Sequence, residues 1–285
     1  MMSDERGDFM TEQEKKDYVN RPEGQRFTLE EFKKIIAKLR AEDGCPWDRV
    51  QTHESLKDCM LEEAYETVDA INHNDKENLK EELGDMLLQI YLHTQISSEA
   101  GEFELEDVVD GIARKMLRRH PHVFGQAAAE TAEEVLVNWD AIKKKEKGQK
   151  SVSEGLKGVA KALPANVRAA KVQKKAAAVG YDFASVDDVK AKVYEELHEL
   201  ESAMVSGNEE EIFKEFGDVM FSMVNLSRFL GVNAENSLTN ATEKFINRLD
   251  NAEILAKNQG MDLAGMTAEQ LDKLWEAVKK HEEDL

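Results

Sequence analysis

The stretch EELHELESAMVSGNEEEIFKEFGD, residues 195–218, decides the fold. Residues three apart on a helix lie on one face, so Glu196 projects with Glu199, and Glu215 with Asp218. Between the two pairs stand Gly207 and Asn208, a combination that breaks a helix into a turn. Gly207 is the midpoint of Glu199 and Glu215 and equally of Glu196 and Asp218. If the chain folds back antiparallel there, each inner acid lies about 12 Å from the turn at 1.5 Å per residue. Four carboxylates then meet at one level across two facing helices.

The same arrangement occurs earlier, in EEAYETVDAINHNDKENLKEELGD (62–85). At a constant offset of 133 residues, Glu62 pairs with Glu195, Glu63 with Glu196, Glu66 with Glu199, Glu82 with Glu215, Gly84 with Gly217 and Asp85 with Asp218. The earlier quartet is centred on Asn74, again in a turn. Farther on, KMLRR (115–119) answers KFINR (244–248), and WDAIKKKE (139–146) answers WEAVKKHE (275–282). With 58 acidic residues among 285, a single quartet arises by chance roughly half the time. Two in register, sharing downstream basic and Trp elements, indicate a duplicated domain.

Composition agrees with a helical chain. Charged residues make up 34%, aromatics 7%, and only 4 residues are Pro. Helical periodicity appears at 28–42, with a Thr28/Glu31 capping box, then at 52–72, 75–100, 105–119 and 132–147. It resumes near 165 and continues at 185–205, 209–230, 234–258 and 267–282. No stretch alternates as strand, so the expected fold is all-α, helical hairpins packed as bundles. Residues 1–25 read as a disordered leader, 26–150 as the first domain and 151–285 as the second, with KKKEKGQKSVSEGLKG (143–158) as an exposed linker. Two cysteines, Cys45 and Cys59, form no CxxC pair, and neither a signal peptide nor a membrane span is legible. A reduced, cytoplasmic setting is expected.

A net charge of −20 argues against a sequence-independent nucleic-acid binder, which needs a basic footprint. It does not exclude a phosphorylated ligand held through a metal. Four clustered carboxylates raise one another's pKa unless a cation joins them, and hard oxygen donors select Mg²⁺, Mn²⁺ or Ca²⁺. Nearby Lys and Arg then suggest phosphate chemistry. Gly217 would let a neighbouring helix or ligand approach closely. Two other functions compete: a non-catalytic acidic regulator that binds partner proteins, and a di-iron carboxylate bundle. The latter needs two E-x-x-H motifs, and only Glu195–His198 supplies one, Tyr65 standing at the first repeat's equivalent of His198.

Together with these quartets, CPWD (45–48), RRHPHVFG (118–125) and KVQKKAAAVGYDF (171–183) make residues 28–282 resemble the MazG family of nucleoside triphosphate pyrophosphohydrolases. The resemblance implies an all-α bundle acting as a dimer, two MazG-like domains in tandem, and Mg²⁺, with Mn²⁺ as a substitute. It implies hydrolysis of a nucleoside triphosphate between the α- and β-phosphates. Glu196, Glu199, Glu215 and Asp218 would hold the metal, with a second, weaker site at Glu63, Glu66, Glu82 and Asp85. Lys192, Glu195, Lys214, Asp218, Lys244, Asn247, Arg248 and Trp275 would bind substrate, and Glu195, Glu196 and Lys192 would serve catalysis. Cys59 stands where the second repeat has Lys192, which favours the C-terminal domain as the principal catalyst.

Three smaller features have simpler expected roles. Arg and His in RRHPH complement a helix C-terminus that Pro121 ends. CPWD makes a structured loop with Trp47 as its apolar anchor or, alternatively, as a contact to the base. FGDVMFSMVNLSRFL (216–230) is core or dimer interface.

Overall fold

The computed structural model describes residues 10–126, 129, 131–146 and 151–283. Among the described residues every regular element is a helix. The chain divides into two compact units, Met1–Asp140 and Ala141–Leu285. The first carries α1 (Glu12–Val19), α2 (Leu29–Arg40), α3 (Pro46–Arg49), α4 (Lys57–Asn72), α5 (Lys76–Glu99), α6 (Leu105–Arg119) and α7 (Pro121–Phe124). Helix α8 (Ala132–Glu146) crosses the division, which falls ten residues before the junction expected at 150. The second unit carries α9 (Val152–Lys157), α10 (Ala165–Ala177), α11 (Val186–Ser206), α12 (Glu209–Phe229), α13 (Ala234–Asn258), a 3₁₀ turn (Leu263–Gly265) and α14 (Ala268–Glu283).

The hairpin that the sequence predicts is the centre of each unit: α4 packs on α5 and α11 on α12. Their turns use the expected residues. Gly207 ends α11 in the left-handed region at φ 70°, and Asn74 takes φ 53°, both costly for most side chains. Asn208 and Asp75 then cap the next helix, each accepting from two backbone N–H groups, a contribution of about 1 kcal/mol apiece.

Around this hairpin the first unit packs α2 against α5, burying Ile36, Leu56, Tyr91 and Leu92 with Phe32, Leu39, Leu88 and Leu105 about them. Ile36 and Leu56 are each 1% exposed, a stabilisation of about 1.5–3 kcal/mol per side chain. Arg40 closes α2 by pairing with Glu99 at 2.8 Å and donating to the carbonyls of Asp48 and Gln51. Gly44 is required here, since a Cβ would lie 2.3 Å from the Lys38 and Leu39 carbonyls. The second unit sets α10 against α12 and buries Ala252, Ala256, Leu274 and Val278 between α13 and α14.

Several expectations need correction. The leader is not uniformly disordered: a Thr11/Glu14 capping box starts α1, and Glu14 pairs with Lys34 at 3.1 Å. Residues 1–9 lie outside the described residues. The segment after residue 150 is not an exposed linker, because Ser151 caps α9, which packs on α10 and buries Gly155; residues 147–150 of that segment lie outside the described residues. Trp47 is no apolar anchor, with 56% of its surface exposed in α3. In 216–230 the buried residues are Ser222, Val224 and Asn225, while Phe216, Met220, Phe221 and Met223 are exposed. Those large side chains are therefore not core within the chain.

Candidate metal and nucleotide site

Antiparallel packing of α11 on α12 brings carboxylate oxygens of Glu196, Glu215 and Asp218 within 4.8 Å of one another. Glu196 is the buried member. Glu199 stands outside that trio but beside it. Desolvation raises its pKa first, then the charges of Glu196 and Glu215. Lys192, one turn before Glu196, bonds Glu196 at 2.7 Å and Glu195 at 2.9 Å, and both contacts hold its ammonium strongly protonated. Glu195 thus sits on the exposed flank, tied to Lys192 rather than gathered with the acids.

In the first unit the clustered oxygens are those of Glu63, Glu66 and Glu82, again within 4.8 Å. Desolvation pushes the Glu63 carboxyl up first, followed by the charge of Asp85. Glu82, 8% exposed, is raised by desolvation and then by Glu66 and Asp85. No lysine answers Lys192: Cys59 packs against the Ile36–Leu92 core instead. One residue the sequence reading missed joins this group. Gln89 is buried one turn past Asp85 and donates from Nε2 to Glu63 Oε1 at 3.4 Å. Its place four residues after Asp85 was the only available signal.

The remaining expected site residues form a second group. On α13, Arg248 lies over the Trp275 ring at 5.8 Å, and Phe245 packs beside that ring at 5.4 Å. The first unit repeats the contact, with Arg119 at 5.1 Å from the Trp139 ring. Duplication has therefore preserved an Arg–Trp pair as well as the acids. Lys244 and Asn247 are exposed on the same helix, and Lys214 is exposed on α12, paired with Glu210 at 2.6 Å.

Other features resolve simply. His120 Nδ1 lies 2.7 Å from the Met116 carbonyl, the expected completion of a helix C-terminus. A Cβ at Gly217 would meet nothing within 4 Å, so among the described residues no neighbouring helix approaches closely there, and of the two expected roles close approach of a ligand is the one left open. His198 is exposed and turned to Glu201 at 3.3 Å, away from the acids, which leaves the di-iron motif unbuilt.

All-oxygen donor sets of this kind fit a hard divalent cation, and a bound cation would offset the desolvation and, after it, the mutual repulsion that raise Glu63, Glu82 and Glu199. Among the described residues, no helix is long and apolar enough to cross a membrane.

Comparison with known proteins bears on both units. The family model of the MazG nucleotide pyrophosphohydrolase domain matches twice, at residues 51–124 and 185–253. Each match contains one hairpin and its quartet. The nucleoside triphosphate pyrophosphohydrolase/pyrophosphatase MazG of Thermotoga maritima is 42% identical over 255 residues, covering 90% of this chain and 97% of that protein. The nucleoside triphosphate pyrophosphohydrolase of Escherichia coli K12 is 40% identical over 254 residues, 88% of this chain and 97% of that one. Protein YabN of Bacillus subtilis is 47% identical over 252 residues, 88% of this chain but 51% of that longer protein. Two matched domains, each built around a four-carboxylate hairpin, make this chain an enzyme of the MazG nucleotide pyrophosphohydrolase family in its tandem form.

Proposed function

We propose that the chain hydrolyses nucleoside triphosphates, ATP among them, between the α- and β-phosphates, releasing a monophosphate and pyrophosphate, with Mg²⁺ as the cofactor and Mn²⁺ as a substitute. The observation that carries this reading is the C-terminal trio of Glu196, Glu215 and Asp218, within 4.8 Å, with Lys192 bonded to Glu196. The domain at 151–285 is the principal catalyst, and the one at 26–150 is a weaker metal site.

Glu196, Glu199, Glu215 and Asp218 would hold the cation. When bound, Mg²⁺ polarises the phosphoryl group and makes a water more acidic. Lys192 would turn from Glu195 and Glu196 to the incoming phosphates, a charge-assisted exchange that frees a carboxylate as proton acceptor. Glu195 and Glu196 are the candidates for that role. Lys214, Lys244, Asn247 and Arg248 supply donors to the phosphate chain, and Trp275, steadied by Phe245 and Arg248, offers a ring beside the nucleotide.

A homodimer is part of the same reading. Phe213, Phe216, Met220 and Met223 on α12 leave an apolar face exposed, the kind of surface a second copy would cover. A cytoplasmic role in nucleotide-pool housekeeping or stress regulation fits this chemistry.

The test is pyrophosphate release from canonical and modified triphosphates, with and without Mg²⁺, by wild type and by Glu196→Gln/Glu199→Gln. Wild-type turnover in that variant would sink the metal-quartet mechanism.

A further inference from the structure

A cavity of ≈ 460 Å³ opens between α10, the turn at 180–183 and α12. Gln173, 7% exposed, lines it. Its Nε2 donates to the Phe221 carbonyl at 2.8 Å, and a carbonyl can take only the amide's NH₂ end. The orientation is thereby fixed, and Gln173 Oε1 is buried with no partner among the described residues. An orphaned acceptor of this kind is destabilising unless something donates to it. Asn225, also buried, accepts from Arg228, which in turn clasps Asp182. The ring of Phe221 forms an apolar wall, and Phe183 stands at the turn.

The first unit lines the corresponding position differently. At the offset of 133 residues, Leu88 and Leu92 replace Phe221 and Asn225, and both belong to the Ile36–Leu56–Tyr91 core. Duplication has thus placed hydrocarbon at Leu92 where the other copy buries the amide of Asn225. The copy with the amide is the one with Lys192. Asp218 and Asn225 are seven residues apart on α12, two turns along one face and about 10 Å in rise, with Phe221 between them. That rise matches the reach of a nucleoside whose phosphates lie at the quartet.

We infer that this cavity is the pocket for the base of the nucleotide, with Gln173 Oε1 accepting an N–H from the heterocycle's edge and Phe221 lying along its face. The assignment rests on the hydrolase reading above and names the specificity element of the same site. Such a pocket, apolar with one or two fixed polar groups, discriminates through the hydrogen bond it would otherwise leave unmade.

Steady-state pyrophosphate release from triphosphates of the four bases tests it, with inorganic tripolyphosphate, which has no base, as competitive inhibitor. The wild type should bind tripolyphosphate at least about tenfold more weakly than its best nucleotide. Gln173→Leu should change the ratios of kcat/KM among bases by about tenfold or more. Ala176→Phe, which fills the cavity, should raise every nucleotide KM while leaving tripolyphosphate inhibition unchanged, with melting curves confirming the fold. Base ratios and KM values that stay at wild-type levels overturn the pocket, as does a parallel loss of tripolyphosphate inhibition or wild-type affinity for tripolyphosphate equal to that for nucleotides. A wild type that releases no pyrophosphate from any triphosphate overturns the hydrolase reading, and the pocket with it.

Discussion

The two carboxylate hairpins are one design in two electrostatic settings. In the C-terminal copy Lys192 lies against Glu196 and Glu195, so part of the acidic charge is already balanced. In the N-terminal copy Cys59 is packed into the core, and Glu63 and Glu82 both carry raised pKa values. Under the proposed function, metal binding and phosphate binding would separate: the carboxylates would serve the first, whereas the second would use the Lys192 ammonium, which the first unit has exchanged for the packing of Cys59.

The most severe way to break this comparison is to neutralise one quartet at a time. Glu196→Gln/Glu199→Gln should lower pyrophosphate release by about a hundredfold or more, and Glu63→Gln/Glu66→Gln by less than about threefold. Comparable losses from both pairs would make the units catalytic equals. Exchanging the diverged residue sharpens the point. Lys192→Cys should cut kcat/KM by about tenfold or more, the scale of a lost charge-assisted bond. In the Glu196→Gln/Glu199→Gln background, Cys59→Lys should give the first unit measurable nucleotide binding by calorimetry.

Metal binding alone should treat the units more evenly. Titration with Mg²⁺ should report two sites per chain, each double Gln variant removing one. Metal at a hundred times its Kd should stabilise the occupied unit by about 2.7 kcal/mol in thermal melts. A single site per chain would confine the metal to one hairpin.

The smallest effect concerns a strap on the first unit. Arg21 and the Thr28 backbone hold Glu31 well below its ordinary value of 4.5, at about 2. A carboxylate with a depressed folded pKa contributes stability that is present above 4.5 and lost as pH falls toward 2. The melting temperature of wild type should therefore exceed that of Glu31→Gln near neutrality, and the gap should close on acidification through that window. A gap that is constant with pH would mean that the pair does not titrate as described.

The helices and both quartets were legible because they depend on local rules: periodicity, a breaker at a midpoint, and capping residues. Glu199 and Asp85 show the limit of counting, since equal height placed all four acids together but not which three would touch. Gln173 and Gln89 were out of reach because a buried amide's importance lies in the partner it finds or lacks, and that partner is remote in sequence. Trp47 misled for the same reason, and for the large side chains of 216–230 the same reason left core and dimer interface as open alternatives. Apolar character gives a reason for burial, but only the assembled surfaces decide whether the chain itself supplies the cover.

The two hairpin turns, at Asn74 and Gly207, also fix a phase. Each residue added between an acidic pair and its turn would rotate that pair by about 100° and displace it by 1.5 Å. One insertion within Glu209–Lys214 would swing Glu215 and Asp218 off the face that meets Glu196, however well the new residue suited a helix. The duplicated segments can therefore exchange lysine for cysteine, or asparagine for leucine, while the count from turn to acid stays unchanged. What the copies share most strictly is an interval, not a composition.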